Sequence, residues 1–392
     1  MRIACVVHRY GAGIAGGSET HCRQVAEHLA VTHDVTVLTT CAVDHVTWNN
    51  VLPAGASVAG GVRVLRFPVS RRRSLRRFAE AGEIAQRRNA SEAEQEQWFR
   101  ENGPDAPELL EHLASHGREY DRVLFWAFRY AETYFGLPLV RHRAILVPTV
   151  EDDPIIALGV LEQFFSLPIG FVFLTPEERA LVLRRAPVPP APSIVIGVGL
   201  DPAAGAPARR LDELGVREPF ILYLGRVDPN KGCETLLRHF IRFQESAARR
   251  VQLVLAGPAN MPMPSHPAVL PLGFVDNATR DALLAQAAFL VVPSRYESLS
   301  IVLLEAWNHG LGALVNGRCA VLKGQARRAN AALYYRDYDE FAHAAERLLA
   351  HPDLARQLGR QGLAYVEQEY RWPHVIENVN GLLERVGQSI RS

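Results

Sequence analysis

Short apolar runs separated by amphipathic stretches set the rhythm of this chain. Arg2–Val7 reads as a buried strand, His8–Ser18 as a glycine-rich loop, Glu19–Val31 as a helix and Val35–Thr39 as a second strand. Further strands are predicted at Val62–Phe67, Arg122–Trp126, Ala144–Val147, Phe171–Leu174 and Ser193–Ile196. Runs this short and apolar, alternating with helices, predict a parallel sheet covered on both faces. Ser74–His116 breaks the rhythm with a charged, helical pattern, as an insertion of helices facing a cleft or solvent would.

Pro187–Pro192 and Pro202–Pro207 bracket a Pro/Ala/Gly-rich stretch that reads as a linker. Beyond it the rhythm restarts: strand Phe220–Leu224, helix Gly232–Gln244, strand Val251–Ala256, strand Leu270–Gly273, helix Thr279–Ala287, strand Phe289–Val292. Both halves open with an apolar strand, a turn-rich loop, a glycine, a polar residue and an amphipathic helix. This weak self-similarity predicts an α/β chain of two doubly wound, Rossmann-like domains facing each other across a cleft, 1–198 and 199–372. A helix at Asp353–Glu369 is followed by Arg371-Trp372-Pro373, and a last helix, His374–Ile390, would take 373–392 back to the first domain. Ligands on such sheets bind outside the carboxyl ends of the strands.

A length of 392 residues is enough for two full cores. A net charge of +1 supplies no global field for nucleic acid, which is excluded as a partner. Met1-Arg2 runs straight into IACVV with no signal-peptide layout, and no run approaches the length of a spanning helix. Cys5, Cys22, Cys41, Cys233 and Cys319 lack paired spacing, which argues against a structural zinc or a disulfide framework. The expectation is a soluble cytoplasmic protein.

The chemistry concentrates in SRYESLSIVLLEAWNHG, where Glu297 and Glu305 stand eight residues apart. A carboxylate in an apolar helix needs a partner, because burying it alone costs several kcal/mol. Ile301–Trp307 offers Glu305 no basic residue, so a hydroxyl-rich ligand is expected there. Ser298 and Ser300 suit a helix start, whose free N–H groups favour an anion. Acids for hydroxyls beside an N-terminus for phosphate point to a nucleotide-sugar site.

In GRVDPNKG, Arg226 and Lys231 are either a diphosphate clamp or two solvated loop cations. Gly16-Gly17-Ser18-Glu19 is either a ligand-approaching loop or a tight turn, and it lacks the GxGxxG spacing of a dehydrogenase. Glu151-Asp152-Asp153 reads as a capping cluster ahead of a metal or catalytic group. SRRRSLRRF places five arginines within Arg71–Arg77, either a solvated face, a grip on an anionic acceptor, or a contact with anionic lipid.

Together these motifs resemble a retaining nucleotide-sugar glycosyltransferase of family 4, with the two-domain GT-B fold. The Gly-Gly-Ser-Glu loop, the G-R-x4-K-G element and the E-x7-E pair occur in the family's order over nearly the whole chain. The chain is closer still to a bacterial branch carrying PSRYESLSIVLLEAW, LVNGRCAVLKGQ and ALYY. The resemblance implies that Gly16 and Gly17 let a loop approach the donor phosphates and the acceptor. It implies that Arg226 and Lys231, after Gly225, hold the diphosphate and stabilise the leaving group. Glu297 would bind the transferred sugar and Glu305 the ribose, while backbone amides at Ser298, Leu299, Ser300, Ile301 and Val302 meet the diphosphate. The base would lie along Gly273, Phe274 and Val275.

A donor phosphate oxygen would take the acceptor's proton, with no metal and no cofactor beyond the donor substrate. The acceptor would be a glycan or lipid-linked saccharide. Glu151 stands where the branch usually has a histidine that contacts the transferred sugar, and it joins the catalytic candidates for that reason. Two rivals remain: another GT-B enzyme such as an epimerase or phosphorylase, and a catalytically altered subunit that binds nucleotide-sugar or glycan.

Overall fold

The computed structural model describes residues 1–14, 16–186, 191–205, 210–246 and 250–388. The two proline-rich stretches read as a linker lie partly outside the described residues. The chain divides into two compact units, Met1–Gly199 together with the chain from Trp372 on, and Leu200–Arg371. No helix among the described residues is long and apolar enough to cross a membrane.

The first unit is built on an eight-stranded sheet. Its strands are β1 (Arg2–Val6), β2 (Asp34–Thr40), β3 (Gly55–Ala59), β4 (Val62–Phe67), β5 (Arg122–Trp126), β6 (Ala144–Val147), β7 (Gly170–Phe173) and β8 (Ser193–Val195), in the order β3-β4-β2-β1-β5-β6-β7-β8. All pairs are parallel except β3 with β4. The sequence pattern misses β3: GASVA is a mostly exposed edge strand, and its apolar Val58 is left in solvent.

The helices are α1 (Gly17–Leu29), α2 (Leu75–Ala85), α3 (Glu92–Asn102), α4 (Pro107–His116), α5 (Ala131–Gly136), α6 (Val160–Phe164) and α7 (Pro176–Arg185). The predicted insertion is present as α2, α3 and α4, but it does more than face solvent. Trp98, Phe99, Leu109 and Leu113 are buried in one core with Val123 and Phe125 of β5. The charge count of that stretch hides a narrow apolar stripe, here Leu109 and Leu113 one helical turn apart.

The second unit carries six parallel strands, β9 (Phe220–Leu224), β10 (Gln252–Ala256), β11 (Val269–Gly273), β12 (Phe289–Val292), β13 (Ala313–Asn316) and β14 (Ala332–Tyr335), ordered β11-β10-β9-β12-β13-β14. Around them lie α8 (Cys233–Ser246), α9 (Asn277–Gln286), α10 (Ile301–Asn308), α11 (Ala320–Ala329), α12 (Tyr338–Ala350) and α13 (Pro352–Glu369). Trp307 of α10 is fully buried against α13, where Gly362 leaves room for its ring and any Cβ would collide with it.

The last helix, α14 (Trp372–Gln388), packs on α1, β7 and β8, so it belongs to the first unit. Val375, Val379, Leu382 and Val386 form its buried stripe, and Trp372 stacks on His28 with ring centroids 3.8 Å apart. In each unit the strand order reverses beside one strand, β1 in the first and β9 in the second. The carboxyl ends there are the topological switch points.

Candidate functional site

In the second unit the chain leaves β9 through Gly225, whose φ of 124° only glycine takes easily. Arg226 follows, its carbonyl accepting from the Tyr223 hydroxyl at 2.7 Å and its guanidinium Nε lying 3.4 Å from Asp228. Asp228 also caps the next turn, accepting from Asn230 N–H at 2.9 Å. Gly232, with φ 76°, ends that turn, and a Cβ there would strike the Pro293 carbonyl. The loops after β9 and β12 are therefore pressed together at their backbones. That approach brings Lys231 Nζ within 2.9 Å of Glu297 Oε1, a pair separated by 66 residues in sequence.

Glu297 and the start of α10 belong to one loop, but the predicted cap at Ser300 does not form. Ser300 is the N-cap residue, yet its side chain makes no cap bond, and its buried Oγ has no partner. Its own N–H donates to Gln325 Oε1 at 3.4 Å. The first N–H groups of α10 thus receive no cap from Ser300, which suits an anionic ligand.

One expectation needs correction. Glu305 does have a cationic partner: Arg280 NH1 of α9 lies 3.4 Å from its Oε1, while the same guanidinium also reaches Asp281. The partner sits on a different helix, 25 residues away, where local sequence could not show it. Burial pushes the Glu305 carboxyl up, with Arg280 and then His309 pulling it back. At 22% side-chain exposure it remains reachable. Gly273 closes β11 at φ 67°, and Phe274 after it is 83% exposed, a bare ring on the carboxyl edge of the sheet, ahead of Val275.

In the first unit the Gly-Gly-Ser-Glu loop is organised by Glu19. Its carboxylate is buried and accepts from His8 Nε2 at 2.8 Å, from Ser18 Oγ at 2.8 Å and from the Arg9 guanidinium. Gly16 is held to glycine because a Cβ would collide with that carboxylate. Burial alone would raise the Glu19 pKa, but His8 and Arg9 outweigh it and hold the group well below the usual carboxylate range. His8 and Arg9 lie in the loop just after β1 and were not singled out from sequence; two polar residues following an apolar strand were the available signal.

Glu151 follows β6 beside Arg129, whose NH2 stands 3.8 Å from Glu151 Oε2 and 2.8 Å from Asp153 Oδ2. Asp153 caps the turn at Pro154–Ala157, accepting from Ile155 N–H at 3.1 Å, whereas Asp152 is exposed. Ala127 and Thr149 take φ of 63° and 50° in neighbouring loops. Strain of this kind costs about 1–3 kcal/mol each and survives only where surroundings enforce it. Among the described residues no group of three or more His, Cys, Asp or Glu could hold a metal ion.

The arginine run is largely engaged inside the first unit. Arg71 pairs with Glu101 at 2.9 Å, Arg77 reaches the same carboxylate at 3.4 Å, and Arg73 bonds Asn102 and the His45 carbonyl beneath Trp48. Arg76 pairs with Glu80 on its own helix and, like Arg72, is exposed.

The chain is similar to D-inositol 3-phosphate glycosyltransferase of Gordonia bronchialis, 27% identical over 289 residues, covering 67% of this chain and 62% of that protein. The chain spans between 44% and 62% of the length of the curated relatives it matches. Among solved structures it resembles sucrose-phosphate synthase of Thermosynechococcus elongatus, with a TM-score of 0.71, 19% identity and 99% of each chain covered. It also resembles HepE of Anabaena in complex with UDP and glucose, with a TM-score of 0.71, 14% identity, and 98% and 100% covered. At such identities the likeness concerns the fold, which is the two-domain GT-B fold. Residues 218–351, which hold Gly225, Arg226, Lys231, Glu297 and Glu305, match the family described as Glycosyl transferases group 1.

Proposed function

We propose that the chain is a retaining glycosyltransferase that moves a sugar from a nucleoside-diphosphate sugar to an acceptor hydroxyl, in glycan or polysaccharide biosynthesis in the bacterial cytoplasm. The observation that carries this reading is the Lys231–Glu297 pair at 2.9 Å, beside Arg226 and the start of α10, which Ser300 leaves without a cap. Cations and the N–H groups of a helix start converge there on the carboxyl edge of one sheet, next to two carboxylates. The group 1 match over 218–351, the glycosyltransferase named for Gordonia bronchialis and the UDP and glucose complex of HepE support it.

In this reading Arg226 and Lys231 take the diphosphate and stabilise the charge that grows on it as the glycosidic bond breaks. Groups already in place at the growing charge need no reorganisation during the step. The N–H groups of Leu299, Ile301 and Val302 complete the phosphate cradle, while Ser300 N–H is held by Gln325. Glu297 turns from Lys231 to the hydroxyls of the sugar, and Glu305 accepts the ribose hydroxyls. The base lies over Gly273–Val275, with Phe274 offering its exposed ring. The acceptor is a glycan or a lipid-linked saccharide, and its proton passes to a donor phosphate oxygen.

A thermal-shift series with UDP-, GDP- and dTDP-sugars tests the donor class. A ligand at 100 times its dissociation constant adds about 2.7 kcal/mol of stability, a readable shift. One of the three is expected to stabilise the wild type and to lose that effect in Glu305→Ala. No shift with any of them sinks the reading.

A second reading is favoured by one observation: Glu151, where the resembling branch has histidine, stands against Arg129 and Asp153. A subunit that binds the donor without turning it over fits that change. Binding without transfer, with transfer restored by Glu151→His, supports it. Contact with anionic lipid is proposed for Arg72 and Arg76, the two exposed members of the run not used by neighbouring helices. Replacing both with Gln is expected to reduce sedimentation with anionic liposomes; unchanged sedimentation discards the contact.

A further inference from the structure

Glu178 is the most enclosed carboxylate in the first unit that the proposed chemistry does not use. It has no exposed surface. Its two oxygens accept from two loops that follow neighbouring strands: Oε1 from Val150 N–H at 2.7 Å, after β6, and Oε2 from Leu174 N–H at 2.6 Å, after β7. Its own N–H donates to Thr175 Oγ1 at 3.1 Å, which fixes the first turn of α7 under the carboxylate. Burial pushes its carboxyl up to about 8, with the backbone N–H bonds pulling the other way, so it is these bonds that hold the group in place.

The loop it holds carries Glu151. Val150 is flanked by Thr149, a β-branched residue at φ 50°, and by Glu151 itself. A β-branched residue in that region is sterically disfavoured, so the turn stays formed only while its neighbours enforce it. Glu178 enforces it from one side. From the other side the loop after β5 is tied on by Ala127 N–H to Val147 O at 3.0 Å and by Phe128 N–H to Pro148 O at 3.1 Å. That same loop supplies Arg129, which faces Glu151 and Asp153. The backbone before Glu151 and the side chain of Glu151 are thus held by different loops.

We propose that Glu178 is a positioning residue for sugar transfer, clamping the Thr149–Glu151 turn so that the Glu151 carboxylate keeps its place beside Arg129. This rests on the reading of Glu151 as a group that meets the sugar. Glu178 touches no substrate; it acts through Val150 N–H. Glutamine at this position has the same shape, yet it sets an NH2 against one of the two backbone N–H groups and releases one loop.

The test uses the full chain and two readouts. In Glu178→Gln, folded by circular dichroism, kcat is expected to fall about 30-fold or more with the donor KM within about threefold of wild type. In a Glu151→Gln background the same change is expected to lower kcat less than about threefold, because the positioned group is already gone. A kcat near wild type in Glu178→Gln, or an undiminished loss in the Glu151→Gln background, overturns the proposal. Hydrogen exchange at the Val150 and Glu151 amides needs no substrate: faster exchange there without global loss is expected, and unchanged protection overturns the clamp. A wild type that exchanges as expected but transfers no sugar sinks the functional reading and leaves the clamp standing. Should Glu178→Gln fail to fold, Thr149→Gly is added, since glycine takes this φ without strain. Thr149→Gly with Glu178→Gln is then compared with Thr149→Gly alone, and equal kcat in the two overturns the proposal.

Discussion

Alanine in place of Lys231 is expected to lower kcat by about 10²–10³-fold while the protein stays folded, the loss typical of removing one preorganised charge-stabilising group. The geometry explains both halves of that expectation. Lys231 Nζ lies 2.9 Å from Glu297 Oε1, so the lysine is already aimed at the place where Glu297 would meet a sugar. The pair is partly exposed, at 31% and 12% of its side chains, and contributes only about 1 kcal/mol or less to stability. The melting temperature should therefore fall by no more than about 2–4 °C for a unit of this size. Arg226→Ala is expected to act similarly, because its guanidinium is set by Asp228 beside the same loop. Transfer assays on purified, folded variants decide the matter. Full activity in both would remove the diphosphate clamp from the account.

Glu19→Ala is expected to destabilise the first unit by about 3–5 kcal/mol, because removing one member of a buried ion pair strands the others. Arg9 is 6% exposed and His8 is fully buried, so neither can turn to water when the carboxylate is gone. The pH dependence has a definite sign. Glu19 is held below the usual carboxylate range, so its contribution is fully present above that range and is lost as pH falls from there toward the depressed folded value. Burial holds His8 below its ordinary value, so the unfolded chain takes up that proton first and the effect runs in the same direction. Urea denaturation of the wild type and Glu19→Gln from pH 7 to pH 3 reads this directly. The gap between them should narrow as the pH drops, and a constant gap would mean that Glu19 is not ionised in the folded protein.

The legible part of this protein lies in segments where one element carries its own signal. The strand at Arg122–Trp126 was visible because five consecutive residues are buried on both faces. The loops at Gly225–Gly232 and Glu297–Glu305 were visible because glycine, cation and acid stand at short, fixed spacings. What escaped was either weakly patterned or made by two distant segments. β3 is a mostly exposed edge strand with its apolar Val58 left in solvent. The insertion helices carry their buried Trp98, Phe99, Leu109 and Leu113 among so many charges that composition pointed outward.

The local sequence around Glu305 also showed no sign of its cationic partner. An apolar run without a basic residue implied a carboxylate awaiting a ligand, whereas Arg280 of α9 already meets it at 3.4 Å. A buried carboxylate does take a partner, but this one comes from another helix. The cap at Ser300 failed for a related reason: the spacing permits Ser300 to cap α10, but the packed loop leaves its hydroxyl buried without a partner.

By itself the amino-acid order determined the alternation of strands and helices, the glycines that open the loops and the acids and cations those loops carry. These follow from hydrophobic periodicity and steric freedom, which act over a few residues. Only the folded chain decided which charges meet: Lys231 with Glu297, Arg280 with Glu305, Arg129 with Glu151, Glu178 with two backbone amides. Those pairings depend on which loops the parallel sheets bring to one edge, and side chains 22 to 66 residues apart become neighbours there.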